Sequence, residues 1–182
     1  LESQADPVDP SLPFAVPGIS PTTVETGVCY DGKDNDGDGK ADCADSDCAT
    51  DLGQKTGVAV GVGDTCRFGN YFHGSCVETY GGDPTDTGEK VFRWTAPSSG
   101  TFQFDTNGSS ADLYLYVKKG GCNGSEVACD RDGGKDSEDP SARVEQVVKG
   151  QQFTVFVDSE TGGGFNRTTD CGSFALNITK KP

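Results

Sequence analysis

The sequence predicts an all-β protein, an antiparallel β-sandwich, on two observations about residues 52–182. Apolar and polar residues alternate in short segments such as EKVFRWTA, TFQFD and QFTVFVD, and a period of two is typical of strands with one buried face. Turn residues separate these segments, as in APSSG and VKGQ, and such short connectors favour antiparallel neighbours. About seven or eight segments of this kind, without an amphipathic helical pattern, predict two packed sheets.

The alternation also predicts which side chains enter the core. Residues on one face of a strand share a register of two, so the apolar members of each segment point to the same side. Tyr114 and Tyr116 fall on the opposite face of their strand. The side chains expected inside are Phe92, Trp94, Phe102, Phe104, Leu113, Leu115, Val117, Phe153, Val155, Val157, Phe174, Leu176 and Ile178.

Composition and charge narrow the environment and the partners. Of the 182 residues, 32% are hydrophobic, and the formal net charge is −14. This charge argues against binding to nucleic acid, which needs a basic surface, and favours the attraction of cations. Eight cysteines without a CxxC motif predict disulfides and therefore a secreted, extracellular or cell-surface location.

Other features agree with a secreted chain. No apolar run is long enough to span a bilayer, and the chain starts at Leu1, as expected of a mature chain or an excised fragment. Four glycosylation sequons are compatible with secretion, although whether they are used depends on the host. They begin at Asn107, Asn123, Asn166 and Asn177.

Residues 1–28 are predicted to form an extended arm. Five prolines in this stretch fix the backbone and remove hydrogen-bond donors, which excludes a stable helix. The apolar segment LPFAV, residues 12–16, would suit an exposed sheet edge. The arm is expected either to pack on its own domain or to dock on a neighbouring copy, and the sequence leaves both open.

Residues 29–51 form an acidic segment in which carboxylates recur at the spacing of a twelve-residue calcium loop. Counted from Asp34, aspartates occupy positions 1, 3, 5, 9 and 12, and Gly39 occupies position 6, where the chain must bend sharply. Calcium prefers hard oxygen ligands, and a cation would also offset the repulsion among the acids. The predicted calcium ligands are Asp34, Asp36, Asp38, the carbonyl of Lys40, Asp42 and Asp45.

The segment differs from an EF-hand, because position 12 is Asp, position 8 is Ala41, and cysteines replace the flanking helices. The pattern D-x-D-x-D-G-x-x-D-C-x-D resembles the thrombospondin type 3 calcium repeats instead. This resemblance implies a structural calcium site wrapped in disulfides. Two other interpretations stay open: a solvated acidic linker, and a zinc site through Cys29, Cys43 and Cys48, whose spacing does not suit paired knuckles.

A second acidic stretch, CDRDGGKDSED, begins at Cys129. It supplies a second candidate metal site, and a solvated loop is the other interpretation. The candidate ligands are Asp130, Asp132 and Asp136, together with Asp112 from a neighbouring strand.

The cysteine spacing predicts two local disulfides, Cys66–Cys76 and Cys122–Cys129, because each pair brackets a hairpin-sized gap. The remaining four cysteines allow three pairings, which the sequence does not decide. Three of them lie in the acidic segment and one precedes the last strand, so at least one bridge should join this segment to the sandwich. These four are Cys29, Cys43, Cys48 and Cys171.

Residues 56–180 resemble the bacterial pre-peptidase C-terminal domain. The resemblance is carried by the WTAP strand end, a Ser-Gly turn, the DLYLYV strand, a cysteine-bounded hairpin, and a VKGQ turn before VFVD. It implies a jelly-roll-like β-sandwich without catalytic activity, attached to secreted enzymes and surface proteins. Some members of that family are associated with binding to insoluble substrates.

The sequence contains no catalytic constellation. His73 is the sole histidine, and neither a GxSxG nor an HExxH motif occurs. We therefore expect a non-catalytic secreted or cell-surface structural protein, stabilised by calcium and disulfides, whose arm joins copies into an extracellular filament. The alternative is a carbohydrate- or protein-binding accessory module of a secreted enzyme, with Tyr71, Phe72 and Tyr80 as candidates for stacking on sugars.

Overall fold

The computed structural model describes residues 29–67, 71–77, 88–134, 139–159 and 171–182. These ranges contain nine β-strands in two packed sheets, which confirms the predicted β-sandwich. Two short 3-10 turns are the only helical elements in the same ranges, and neither is long enough to cross a membrane. The expected arm, residues 1–28, lies outside the described residues.

The order of the strands within each sheet differs from their order along the chain. In chain order they are β1 (Thr50–Asp51), β2 (Gly57–Asp64), β3 (Glu89–Thr95), β4 (Gly100–Asp105), β5 (Leu113–Lys119), β6 (Ser125–Asp130), β7 (Ser141–Val147), β8 (Gln152–Ser159) and β9 (Ser173–Lys181). One sheet has the order β1-β3-β8-β5-β6 and the other β2-β9-β4-β7. Neighbouring strands are antiparallel, except that the two-residue β1 lies parallel to β3.

Aromatic side chains fill the space between the sheets. The ring of Trp94 lies 5.0 Å from that of Phe102 and 5.3 Å from that of Phe104, both edge-on. Its indole N–H donates to the carbonyl of Lys55 at 2.8 Å, so the buried polar group is satisfied. Every side chain that the alternation placed inside is buried, which confirms that part of the prediction.

The alternation predicted strands with one buried face, and for β5 and β8 this is wrong. Tyr114, Tyr116 and Phe156 point away from the other sheet, yet each is at most 1% exposed. Residues 29–51 and 71–77, here called the cover, lie over this outer face. A second apolar cluster forms between the cover and the sheet. Its members are Cys43, Ala49, Phe72, Val91, Tyr116, Cys122 and Phe156.

Two covalent bonds and several hydrogen bonds hold the cover on the sheet. Residues 71–77 approach so closely that a Cβ on Gly74 would lie 2.7 Å from Cys129 Sγ and 2.7 Å from the Tyr116 ring. The Ser75 N–H donates to Glu126 of β6 at 2.9 Å. A side chain at position 74 would therefore lift this loop off the sheet.

All eight cysteines form disulfides, as predicted, but both predicted local pairs are wrong. The observed bridges are Cys29–Cys48, Cys43–Cys122, Cys66–Cys171 and Cys76–Cys129. The expected bridge between the acidic segment and the sandwich exists, with Cys122 as the partner of Cys43. Cys171 is not involved in it.

Strand pairing explains why proximity in the sequence was misleading. Cys66 follows β2 and Cys171 precedes β9, and these strands pair so that Asp64 lies opposite Ser173. The two cysteines therefore meet at one end of the same strand pair. Cys122 lies in the turn before β6, whereas Cys129 lies within β6 opposite Tyr116, so they do not face each other.

We predict that the Cys43–Cys122 bridge contributes strongly to stability. It joins residues 79 positions apart, and on the chain-entropy model closing such a loop lowers the free energy of the native state relative to the unfolded chain by about 4 kcal/mol. Replacing both cysteines with Ala should lower the free energy of unfolding by about this amount, measured by guanidinium denaturation. The matched Cys29→Ala/Cys48→Ala variant should lose less, because that loop spans 19 positions. Equal losses in the two variants would contradict the loop-length argument.

Candidate metal centre

Three of the predicted calcium ligands converge at the outer surface of the cover. Carboxylate oxygens of Asp34, Asp36 and Asp38 all lie within 4.8 Å of one another. Among the described residues, no other group of three or more Asp, Glu, His or Cys side chains comes together in this way. The alternating carboxylates therefore produce the arrangement that the spacing predicts.

Backbone donors position these three carboxylates. Asp34 accepts the N–H groups of Gly37 at 2.6 Å and Gly39 at 2.8 Å. Asp36 and Asp38 each accept the N–H two residues further along the chain, at 3.0 and 2.8 Å. Gly39 has a φ of 93°, a conformation that residues with a Cβ rarely adopt, so the bend that the sequence assigned to this position is present.

The remaining three predicted ligands, Asp45, Asp42 and Lys40, differ in their surroundings. Asp45 is 1% exposed, and although its Oδ1 accepts the Asp47 N–H at 2.6 Å, its Oδ2 is buried without a hydrogen-bond partner. Asp42 is directed elsewhere, since both of its carboxylate oxygens accept the Gly32 N–H at 3.2 Å. The Lys40 ammonium lies 3.3 Å from Asp38, an exposed pair of the kind that contributes little to stability.

Electrostatics shows how crowded the negative charges are. The N–H groups of Gly39 and Gly37 hold the pKa of Asp34 below its ordinary value. The Asp38 N–H would likewise lower the pKa of Asp36, but desolvation and the charges of Asp38, Asp45 and Asp34 outweigh it and raise this pKa. The charges of three other aspartates therefore act on Asp36, and a cation bound there would offset their repulsion.

The second candidate site is not assembled by the residues that the structure describes. Asp130 accepts the N–H groups of Gly133 and Ser141, both at 2.7 Å, and Asp132 lies 3.6 Å from the Arg131 guanidinium. Asp112 does not join them in a cluster. Asp136, the fourth residue of this group, lies outside the described residues.

An exposed aromatic pair lies beside the acidic segment. The rings of Tyr30 and Tyr71 stack with their centroids 5.4 Å apart, and their exposed fractions are 53% and 37%. Phe72, a candidate for stacking on sugars, instead points from the cover toward the sheet and is 7% exposed. Tyr80 lies outside the described residues, and His73 is exposed.

Sequence reasoning missed a pair of acidic residues in the strands beneath the cover. Glu89 of β3 lies directly opposite Asp158 of β8, and the two are 3% and 1% exposed. Burial raises the pKa of Glu89 to about 7, although donors from Tyr71, Tyr116 and Phe72 oppose this. Burial and the charge of Glu89 raise the pKa of Asp158 well above its ordinary value. No signal in the sequence indicated this burial, because the alternation places Glu89 and Asp158 on the strand faces opposite Phe92 and Val157, which were expected to face solvent.

Comparison with known proteins yields a distant structural resemblance. No family model matches the chain, and no curated protein sequence matches it. A similar solved structure is the pre-peptidase C-terminal domain of a collagenase from Bacillus anthracis, with 12% sequence identity and a TM-score of 0.42. The match covers 72% of this chain and 94% of that one. A likeness at this level says nothing about ligands or activity.

We predict that Glu89 makes stability in EDTA depend on pH. Its pKa is higher in the folded chain, about 7, than the ordinary 4.5, so its protonated form stabilises the fold below pH 4.5 and this contribution is lost as the pH rises through 7. The free energy of unfolding of Glu89→Gln minus that of wild type should therefore increase by up to about 3 kcal/mol as the pH rises from 4.5 to 7. Urea denaturation across the range measures it. The exposed control Glu145→Gln should give no such gain, and a constant difference for Glu89→Gln would refute the assignment.

Proposed function

We propose that the chain is a non-catalytic extracellular accessory module whose acidic segment binds calcium. The observation that carries the proposal is the convergence of Asp34, Asp36 and Asp38 within 4.8 Å. Asp45, whose charge also acts on Asp36, has a buried Oδ2 without a hydrogen-bond partner. A buried carboxylate oxygen without a partner is unfavourable. A divalent cation bound by oxygen ligands would satisfy it.

Calcium is favoured over zinc at this position. Cys29, Cys43 and Cys48 are all in disulfides, so they offer no thiolate to a zinc ion. The converging atoms are carboxylate oxygens, which are the hard ligands that calcium prefers. Ligation would draw on Asp34, Asp36, Asp38 and Asp45, with the carbonyl of Lys40 as the predicted fifth ligand.

The role of calcium in this proposal is to stiffen the cover. The segment that carries the carboxylates also supplies Cys43 and Ala49 to the apolar cluster on the outer face of the sheet. Its negative charges repel one another, and a bound cation would remove that repulsion where the segment has few apolar contacts. Four disulfides support a secreted location, since such bonds persist in oxidising compartments.

The stacked pair Tyr30–Tyr71 supports binding of an extracellular polysaccharide or protein by the module. Exposed tyrosine rings provide flat apolar area with a polar edge, which suits contacts with sugars and proteins. Tyr30 lies in the acidic segment, between Cys29 and the proposed ligand Asp34, so bound calcium would also fix the position of one ring. The other ring belongs to the second part of the cover.

A filament subunit is the second candidate, and the edge strand β2 favours it. β2 has β9 as its sole partner among the described strands, and no charged residue interrupts it from Gly57 to Gly63. Val58 and Val62 are 80% and 65% exposed. An uncharged edge of this kind can accept an added strand, such as the predicted arm of a neighbouring copy.

We predict that Asp36→Asn abolishes calcium binding at the acidic segment. Isothermal titration with CaCl2 should show the loss of one site or at least a tenfold weaker affinity, because Asp36 lies at the centre of the cluster. The exposed neighbour Asp47 lies outside the cluster, so Asp47→Asn should bind as wild type does. Identical titrations of Asp36→Asn and wild type would exclude calcium from this segment.

Deletion of residues 1–25 separates the two candidate functions. An accessory module should be monomeric with or without these residues in 2 mM calcium, measured by light scattering after size exclusion. In a filament subunit, the full chain should assemble while the deleted chain stays a folded monomer. Assembly of the full chain alone would replace the accessory-module proposal with the filament.

A further inference from the structure

The buried pair of carboxylates beneath the cover, Glu89 and Asp158, lies apart from the acidic segment. The two residues are direct partners across β3 and β8, and a period of two places them on the outer face, with Val91 and Phe156. Directly opposed Cβ atoms in an antiparallel pair are about 4.5–5.5 Å apart. Two carboxyl groups therefore face each other in a buried site.

Glu89 is held in place as an acceptor. Its Oε1 accepts the N–H groups of Tyr71 at 2.8 Å and Phe72 at 3.0 Å, and its Oε2 accepts the hydroxyl of Tyr116 at 3.0 Å. Three donors on one carboxylate favour its ionised form. They also fix its position, since two of them come from the cover and one from β5.

Asp158 has no comparable support. It is 1% exposed, and neither of its carboxylate oxygens accepts a hydrogen bond of normal geometry. The adjacent Ser159 N–H lowers the pKa of Asp158 but donates to the carbonyl of Gly88, at 3.2 Å. Buried polar groups in folded proteins are nearly always paired, so an unpaired carboxylate needs an explanation. Here the unpaired group lies beside a second carboxylate that is already oriented.

Two basic side chains near this pair, Lys118 and Arg131, lie over aromatic rings, and the charge of Lys118 partly opposes the rise in the pKa of Glu89. The Lys118 ammonium lies 5.2 Å from the centroid of the Phe156 ring and 5.6 Å from that of Phe72. The Arg131 guanidinium lies over Tyr114 and pairs with Asp132. Among the described residues, neither Glu89 nor Asp158 forms an ion pair with a Lys or Arg side chain.

We propose that Glu89 and Asp158 bind a second divalent cation, of the calcium class, beneath residues 71–77. Both oxygens of Asp158 and the Oε2 side of Glu89 would act as ligands, with water completing the coordination. All ligand atoms are hard oxygens, and the cysteines nearby are in disulfides, so a soft metal is disfavoured. The cation would join β3 and β8 directly to the part of the cover that donates to Glu89.

The test removes the acidic segment's site first. In the Asp36→Asn background, isothermal titration with CaCl2 in buffer at pH 7.5 should still show one bound calcium per chain. Adding Asp158→Asn, which keeps the shape and removes the charge, should abolish that site or weaken it at least tenfold. Adding Glu145→Gln, which removes an exposed carboxylate of β7, should leave it unchanged. This result would stand even if the acidic segment binds nothing, because the two sites are removed separately.

A second measurement distinguishes a cation bound by Glu89 and Asp158 from a proton held between these two carboxyl groups. With EGTA at pH 7.5, Asp158→Asn should have a higher Tm than the parent, because a neutral amide replaces a buried carboxyl group that lies opposite Glu89. Adding calcium should raise the Tm of the parent but not that of Asp158→Asn. If Asp158→Asn does not fold, Glu89→Gln replaces it, since its amide oxygen can still accept the two N–H groups. Absence of a calcium site in the Asp36→Asn background, or an equal Tm increase in parent and variant, would overturn the proposal.

Discussion

The outer face of the five-stranded sheet must be covered, and the rest of the structure depends on this constraint. Tyr116 and Phe156 are fully buried on that face, and burying a large apolar side chain stabilises a fold by roughly 1.5–3 kcal/mol. The longer part of the cover, residues 29–51, is acidic and supplies only Cys43 and Ala49 to the apolar cluster on this face. The cover is therefore held by disulfides to Cys122 and Cys129 rather than by a core of its own.

The sequence predicted the inner half of the sandwich well and the outer half poorly, for a physical reason. Residues such as Trp94 and Phe104 follow a period of two, and the alternation alone assigns them to the core. Burial of Tyr116 depends on the cover, in which Gly74 lies against its ring. The other part of the cover, residues 29–51, is distant in the chain and resembles a solvated linker when considered by itself. A local pattern reports the strand, whereas the burial of its second face depends on long-range contacts.

The candidate metal centre shows the same division. The cluster of Asp34, Asp36 and Asp38 is local, so its spacing along the chain sufficed to predict that these carboxylates converge. Glu89 and Asp158 are 69 residues apart and meet because β3 and β8 pair, which no motif encodes. The disulfides failed for a related reason: Cys66 meets Cys171 through the pairing of β2 with β9, across a separation of 105 residues.

The two proposed cation sites would act on the two different parts of the cover. The acidic segment is itself one part of the cover, and Tyr71 and Phe72 of the other part donate their N–H groups to Glu89. Tyr30 of the segment and Tyr71 stack on each other, so ordering one part of the cover restrains the other. A ligand at a hundred times its Kd stabilises the state that binds it by about 2.7 kcal/mol. Because each site would order one part of the cover and the two parts contact each other, the first cation bound would reduce the ordering that the second must impose. The two cations should therefore bind with positive cooperativity.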